Sequence, residues 1–368
     1  MKYGNREPLF HLVKRDGVSV WRAWAIRLIA FLASLVICGL IIFAIVKLNP
    51  LKVYAAMWEG AFGTNKRVWV TIRDSMALLC IGVGLAPAFK LRFWNIGAEG
   101  QILAGGIATA ACMIYLKSMP TGLLFLVMAV SAVAAGAVWG VIPALFKARW
   151  NTNETLFTLM MNYIAIQLTS FFVSLWENPY GSNSVGVINQ TTRIGWFSPL
   201  FGQQYMLNVV IVMSLTIGMY IYLRSSKQGY EIAVAGESVN TAKYIGISVK
   251  RVIIRTMVIS GGICGVAGFV TVAGAGHTIS TSTAGGRGFT AIIVAWLAKF
   301  NTFVMILIAA LLVFLEKGAM EIASRYNLSD YASQMITGII LFFILGSEFF
   351  INYRVLPRKK TGGEGANQ

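Results

Sequence analysis

The chain has 368 residues, 57% of them apolar and 12% charged; that is about half the charge of a soluble domain and leaves too little polar surface for water, so the expected solvent is lipid. A net charge of +17 does not point to nucleic acid, because the basic residues fall at helix ends and in short loops rather than in one patch with exposed aromatics. No Walker A loop, nucleophile elbow, paired-carboxylate motif or metal-ligand spacing occurs, and His11 and His277 are the two histidines, so no catalytic constellation, metal site or ATP site of its own is expected.

Residues 1–23 form a basic N-terminal segment with Lys2, Arg6, Lys14, Arg15 and Arg22. A spanning helix needs about 20 apolar residues, and the run at 24–46 provides them. It is too long, and lacks the small-residue cleavage site, for a removed signal peptide. Further runs follow at 70–89, 97–116, 121–146, 155–175, 205–223, 252–273, 288–298, 301–317 and 332–350, the eighth being short. The expectation is an all-α polytopic membrane protein of about ten transmembrane helices occupying 24–350, followed by a C-terminal tail at 351–368. Ten crossings put both termini on one side. With that side cytoplasmic, the inner segments carry about twice the Lys and Arg of the outer ones, the Lys66–Arg67 pair being the main exception. Cys38, Cys80, Cys112 and Cys264 all lie in apolar runs and read as small buried hydrophobes, with no disulfide expected.

Five spans in each half mean that the second half enters from the opposite face, so the halves could be inverted repeats. Two glycine-rich interruptions support this. Asn95-Ile-Gly-Ala-Glu-Gly-Gln101, followed by Gly105 and Gly106, lies between spans two and three; Gly285-Gly-Arg-Gly-Phe289 lies at the corresponding place between spans seven and eight. Broken helices at matching positions point to a solute pathway, whereas ordinary turns with helix caps are the plainer alternative. The segment from Glu177 to Gln204, with Trp196 and Phe197, suits an interfacial anchor or a docking surface. The loop at 224–251 is the longest expected on the cytoplasmic side. Its centre, Ser238 to Ile245, reads as a short amphipathic helix capped by Ser238 and stopped by Gly246; such a helix seats in a partner's groove or rests on headgroups.

A carboxylate at membrane depth costs about 2.5–3.5 kcal/mol on insertion scales, so Glu99 stands out. It could line a polar cavity, orient the broken helix, or sit at a helix N-terminus near the interface, where the helix dipole favours it. Asn151 with Glu154 three residues on fits a capping-box-like start to span five. Asn162 and Tyr163 fall in the body of that span, where they bind a neighbouring helix or face a solute. Gly261, Gly262, Gly265 and Gly268 have the small-residue spacing of closely packed helices.

At four of these segments the chain resembles the permease subunits of ATP-binding-cassette importers, in the branch that includes ribose, branched-chain amino acid and nucleoside permeases. Asn95 to Gln101 and Asn153-Glu-Thr-Leu-Phe-Thr-Leu-Met-Met-Asn-Tyr163 are similar to hallmark segments of the nucleoside type. Gly236 to Ile247 resembles the cytoplasmic coupling segment, and Gly286 to Trp296 the second-half broken helix. The resemblance implies a nucleoside importer in the cytoplasmic membrane, working by alternating access. Its implied partners are an ATPase that binds ATP and Mg, a second permease subunit that is commonly a different homologous chain, and an extracytoplasmic substrate-binding lipoprotein. It places Asn95, Glu99, Gln101, Asn162, Tyr163 and Phe289 near the solute route, and Glu237, Asn240, Tyr244 and Ile245 at the ATPase contact. The alternatives are a sugar or branched-chain amino acid permease, or an ion-coupled transporter, which should show intramembrane acidic pairs. A membrane-embedded transferase would need an Asp-rich or metal-binding loop, and none is visible.

Overall fold

A computed structural model describes residues 10–14, 19–46, 49–327 and 353–357, with scattered positions between 329 and 351. In chain order the elements are β1 (Phe10–Lys14), α1 (Val20–Val46), α2 (Pro50–Phe62), α3 (Asn65–Lys90), α4 (Ala98–Tyr115), α5 (Thr121–Trp150), α6 (Glu154–Leu175), α7 (Met206–Ser225), α8 (Lys227–Glu237), α9 (Val239–Tyr244), α10 (Val249–Thr271), a π-helical turn (Val272–Gly276), α11 (Arg287–Leu297), α12 (Thr302–Arg325) and β2 (Tyr353–Pro357). Among the described residues six helices are long and apolar enough to cross a bilayer: α3, α5, α6, α7, α12, and α10 continued through the π turn. The chain is a multi-pass, helical membrane protein. Its helices match the expected spans in order; of the tenth span, 332–350, the described residues are scattered helical positions, and the rest of it lies outside the described residues.

Several local expectations change. Helix α2 is a new element; Pro50 opens it and the Asn49 side chain accepts from the Leu51 amide, a start that suits proline because the first helical N–H has no partner. Its 13 residues, Lys52 and Glu59 among them, are too few to cross lipid. Helix α12 runs on to Arg325, eight residues beyond Lys317, where the expected span ends; a 24-residue helix is about 36 Å long and outreaches the apolar core. Asn151 is not the cap of α6. It sits at φ 51° and ends α5, while Asn153 caps α6 by accepting from the Leu156 amide, and Glu154 pairs with Lys147 at 2.9 Å. Asparagine tolerates the left-handed region better than most residues, which is why the first Asn terminates one helix and the second starts the next. β1 and β2 pair antiparallel, Phe10 opposite Pro357 and Lys14 opposite Tyr353, a ribbon absent from the all-helical expectation.

The chain divides into two units, residues 1–60 with 315–368, and residues 61–314. In the first, the ribbon joins the terminal segments, and Gly318 packs on Met57, where an added Cβ would come within 2.9 Å of the Met57 Cβ. In the second, α10 lies at the centre, packed against α3, α4 and α5, while α11 packs on α3. Glycines make this possible. A Cβ at Gly261 would lie 2.3 Å from the Gly136 carbonyl oxygen, one at Gly265 would lie 2.2 Å from that of Ala132, and one at Gly268 would lie 2.3 Å from that of Ile102. The backbones touch, as small-residue spacing anticipates in lipid, where packing and not hydrophobicity drives helices together. The pairing of α10 with α4 and of α3 with α11 is the exchange that inverted halves produce.

The segment after α6 is partly packed onto the helix ends, while Tyr180 and Phe201 remain exposed. Phe197 is buried against Phe125 and Phe269, Trp196 stacks on His277 at 3.8 Å and donates to the Ile188 carbonyl, and the Phe197 amide donates to Ala273. It caps the ends of α4, α5 and the π turn.

Candidate functional site

The two interrupted helices supply the site. Helix α3 ends at Lys90, and residues 91–97 carry the chain back to α4; after the π turn of α10, residues 277–286 do the same for α11. Gly285 and Gly286 sit at φ 58° and 75°, the left-handed turn that glycine adopts without a Cβ penalty. Helix α11 has 11 residues, about 16 Å of rise. Its far end carries Trp296, which meets Trp94 at 5.3 Å and Phe89 at 6.4 Å, beside Lys90, Arg92 and Lys299. Aromatic and basic residues together mark a membrane interface, so the N-terminus of α11 falls near the middle of a core about 30 Å thick.

A helix N-terminus exposes amides without partners, and in lipid no water reaches them. Glu99, in the first turn of α4, meets this need. The Gly286 amide donates to its Oε1 at 2.7 Å and the Gly288 amide donates to its Oε2 at 2.9 Å. Its carboxylate thus lies between the N-terminal ends of α4 and α11, where both dipoles favour a negative charge. Gly288 allows the approach: a Cβ there would lie 2.6 Å from Oε2 and 2.7 Å from the Glu99 nitrogen. Of the roles left open for Glu99, the geometry supplies the orientation of the broken helix.

The start of α4 is held from the opposite side. Asn162 on α6 accepts from the Gly100 amide at 2.9 Å and donates to the Ile96 carbonyl at 2.9 Å. Thr158, one turn earlier, accepts from the Ile96 amide at 3.2 Å. Asn95 accepts from the Gly97 amide at 3.0 Å, exchanges hydrogen bonds with Gln101 at 3.3 Å, and donates to Ser260 of α10 at 3.3 Å. Asn95, Glu99, Gln101 and Asn162 are therefore brought together, all buried, with their polar groups committed within the chain. Tyr163 is not among them; it is 59% exposed on the outer face of α6, pointing away from Asn162. Phe289 is exposed on α11, one residue beyond the clamped Gly288.

The second predicted group lies on α8 and α9. Ser238 caps α9 by accepting from the Thr241 amide, and Gly246 ends it at φ 82°. Ala242 is buried and anchors the helix, whereas Glu237, Asn240, Tyr244 and Ile245 are all exposed, Tyr244 to 92%. Gly236 seats α8 on the end of α3, where a Cβ would lie 2.2 Å from the Lys90 carbonyl oxygen.

Sequence reasoning missed Thr158 and Ser260 as partners of the first break, and it missed a charged group on α3. Asp74 is buried, with Arg73 at 2.8 Å and Arg287 at 3.5 Å. The signal was present: an Arg-Asp pair inside an apolar run is rare enough to be a functional candidate.

A family described as the permease component of the branched-chain amino acid transport system matches residues 69–345. The guanosine ABC transporter permease protein NupP of Bacillus subtilis is 30% identical over 84% of this chain and 89% of its own length. The nucleoside ABC transporter permease protein NupB of Lactococcus lactis subsp. cremoris is 28% identical over 89% of this chain and 92% of its own. The glucose ABC transporter permease protein TsgB13 of Haloferax volcanii is 25% identical over 95% of this chain and 97% of its own.

Proposed function

The chain belongs to the family of permease components of branched-chain amino acid transport systems, and from that membership we propose that it carries nucleosides inward across the cytoplasmic membrane. It is a membrane component of an ATP-binding-cassette transporter. The observation that carries the nucleoside reading is the identity of the relatives that match most of the chain: those named for guanosine and for nucleosides are 30% and 28% identical over 84% and 89% of it, against 25% for the one named for glucose. The glucose-named relative favours a sugar as the second reading. The test is uptake of labelled guanosine, adenosine, cytidine and glucose by cells with and without this chain. Loss of nucleoside uptake on deletion, with glucose unaffected, is expected; loss of glucose uptake alone would overturn the nucleoside reading.

In this reading Glu99 and Asn162 fix the two half-helices, whose free faces border the solute route. Alternating access is driven by an ATPase that holds ATP and Mg and seats on α9 through Glu237, Asn240, Tyr244 and Ile245; a capped helix, anchored by one buried alanine and otherwise exposed, supports that role. Coupling requires the ATPase to contact the two states differently. A second, homologous permease completes the pathway, a substrate-binding lipoprotein delivers solute from outside, and both termini face the cytoplasm.

A further inference from the structure

The turn that Glu99 clamps also fixes a cation. Arg287 lies between the two held amides, and its Nη2 is 3.5 Å from Asp74 Oδ1 on α3. Arg73 donates from Nε to the same oxygen at 2.8 Å. Arg73 is steadied in turn by Tyr205 at the start of α7: its Nη1 is 3.5 Å from the phenol oxygen and its guanidinium 5.1 Å from the ring centre. Three elements, α3, α7 and α11, thus converge on one group of charges. Arg73 is eight residues beyond Asn65 at the start of α3, about 12 Å along the helix axis. Charges at such depth mark solute pathways more often than packing.

Exposure separates the members. The Asp74 side chain is 3% exposed, while those of Arg73 and Arg287 keep 21% and 26%. Asp74 therefore faces its arginines rather than a solute, and the acceptors of Glu99 are occupied by backbone amides. The donors that these two partly exposed guanidiniums do not spend on Asp74 and Tyr205 are further N–H groups of rigid planar forks. A guanidinium fork reads two adjacent acceptors, as in its contact with O6 and N7 of guanine, whereas adenine sets an N6 donor beside its N7 acceptor and opposes donor to donor.

We propose that Arg73 and Arg287, oriented by Asp74 and Tyr205, form a recognition subsite of the permease that selects nucleosides with a 6-oxopurine base. This rests on the nucleoside reading above. The experiment uses the complete transporter in cells with one unchanged binding protein, and measures KM and maximal rate for guanosine, inosine and adenosine in wild type, Arg287→Lys and Arg73→Lys. Lysine keeps the charge and loses the fork. Each variant should raise the KM for guanosine and inosine about tenfold, the lower range for a lost bidentate contact, and leave that for adenosine within about twofold. Equal losses for all three solutes, or unchanged preference in both variants at normal membrane abundance, would make the arginines a brace and overturn the subsite. If the wild type carries no nucleoside, the functional reading fails first and the subsite with it. The second variant, on a different helix, keeps the test decisive where one fails to reach the membrane.

Discussion

Glu99 is where one side chain decides between two accounts of a membrane carboxylate. A solute ligand and a helix brace would both be indispensable for transport, but they differ in what they do to the empty protein. Two amides 187 and 189 residues away in sequence donate to this carboxylate, and leaving a buried amide without its acceptor costs about 1–3 kcal/mol. Glu99→Ala should therefore lower the thermal midpoint of the detergent-purified chain as well as uptake. Glu99→Gln keeps one acceptor oxygen but turns its own donors toward an amide, and should fall between the two. Gly288→Ala should be as damaging as Glu99→Ala, because the added carbon meets the Glu99 backbone at 2.7 Å, which a side-chain rotation cannot relieve. A midpoint equal to wild type in both Glu99 variants, with uptake lost, would assign the carboxylate to solute instead.

At the level of elements, α9 separates folding from coupling. Its buried contact is Ala242, and Tyr244 is 92% exposed, so Tyr244→Ala removes no packing within the chain. Membrane abundance should stay at the wild-type level while co-purification of the ATPase and nucleoside uptake each fall by about tenfold, a loss typical of an exposed aromatic at the centre of an interface. Unaltered uptake would exclude α9 as the docking element. The cap and stop of this helix were legible because Ser238 and Gly246 act over a few residues. The spans were legible for a related reason: an apolar run of about 20 residues has few uses other than crossing lipid. The partners of the breaks were not. Nothing local in Asn95 to Gln101 says that Asn162, 62 residues beyond Gly100, caps α4, or that the break itself caps α11. Arg73 and Asp74 escaped for another reason. Averaged over a span, two opposite charges disappear into the hydropathy, although together on one helix they are the most telling residues in it.

For the whole molecule, the pairing of the terminal segments bears on topology. A hydrogen-bonded ribbon with Phe10 opposite Pro357 and Lys14 opposite Tyr353 requires both strands at the same face, because strands separated by a lipid core about 30 Å thick cannot pair. From the charge bias along the sequence we propose that this face is cytoplasmic, that α9 is cytoplasmic as well, and that the segment after α6 is outside. Those three placements are linked by the parity of crossings, so one labelling experiment tests them together. Single cysteines at Val13, Tyr180 and Tyr244, which are 47%, 95% and 92% exposed, are introduced into a chain stripped of its native cysteines and treated with a membrane-impermeant maleimide. Val13→Cys and Tyr244→Cys should react only in inside-out vesicles, and Tyr180→Cys only in intact cells. If Tyr244→Cys reacted from outside, an ATPase could not reach α9. The chain would then need its driving force from elsewhere, and among the described residues Asp74 and Glu99 do not offer an acidic pair for ion coupling, being held by arginines and backbone amides.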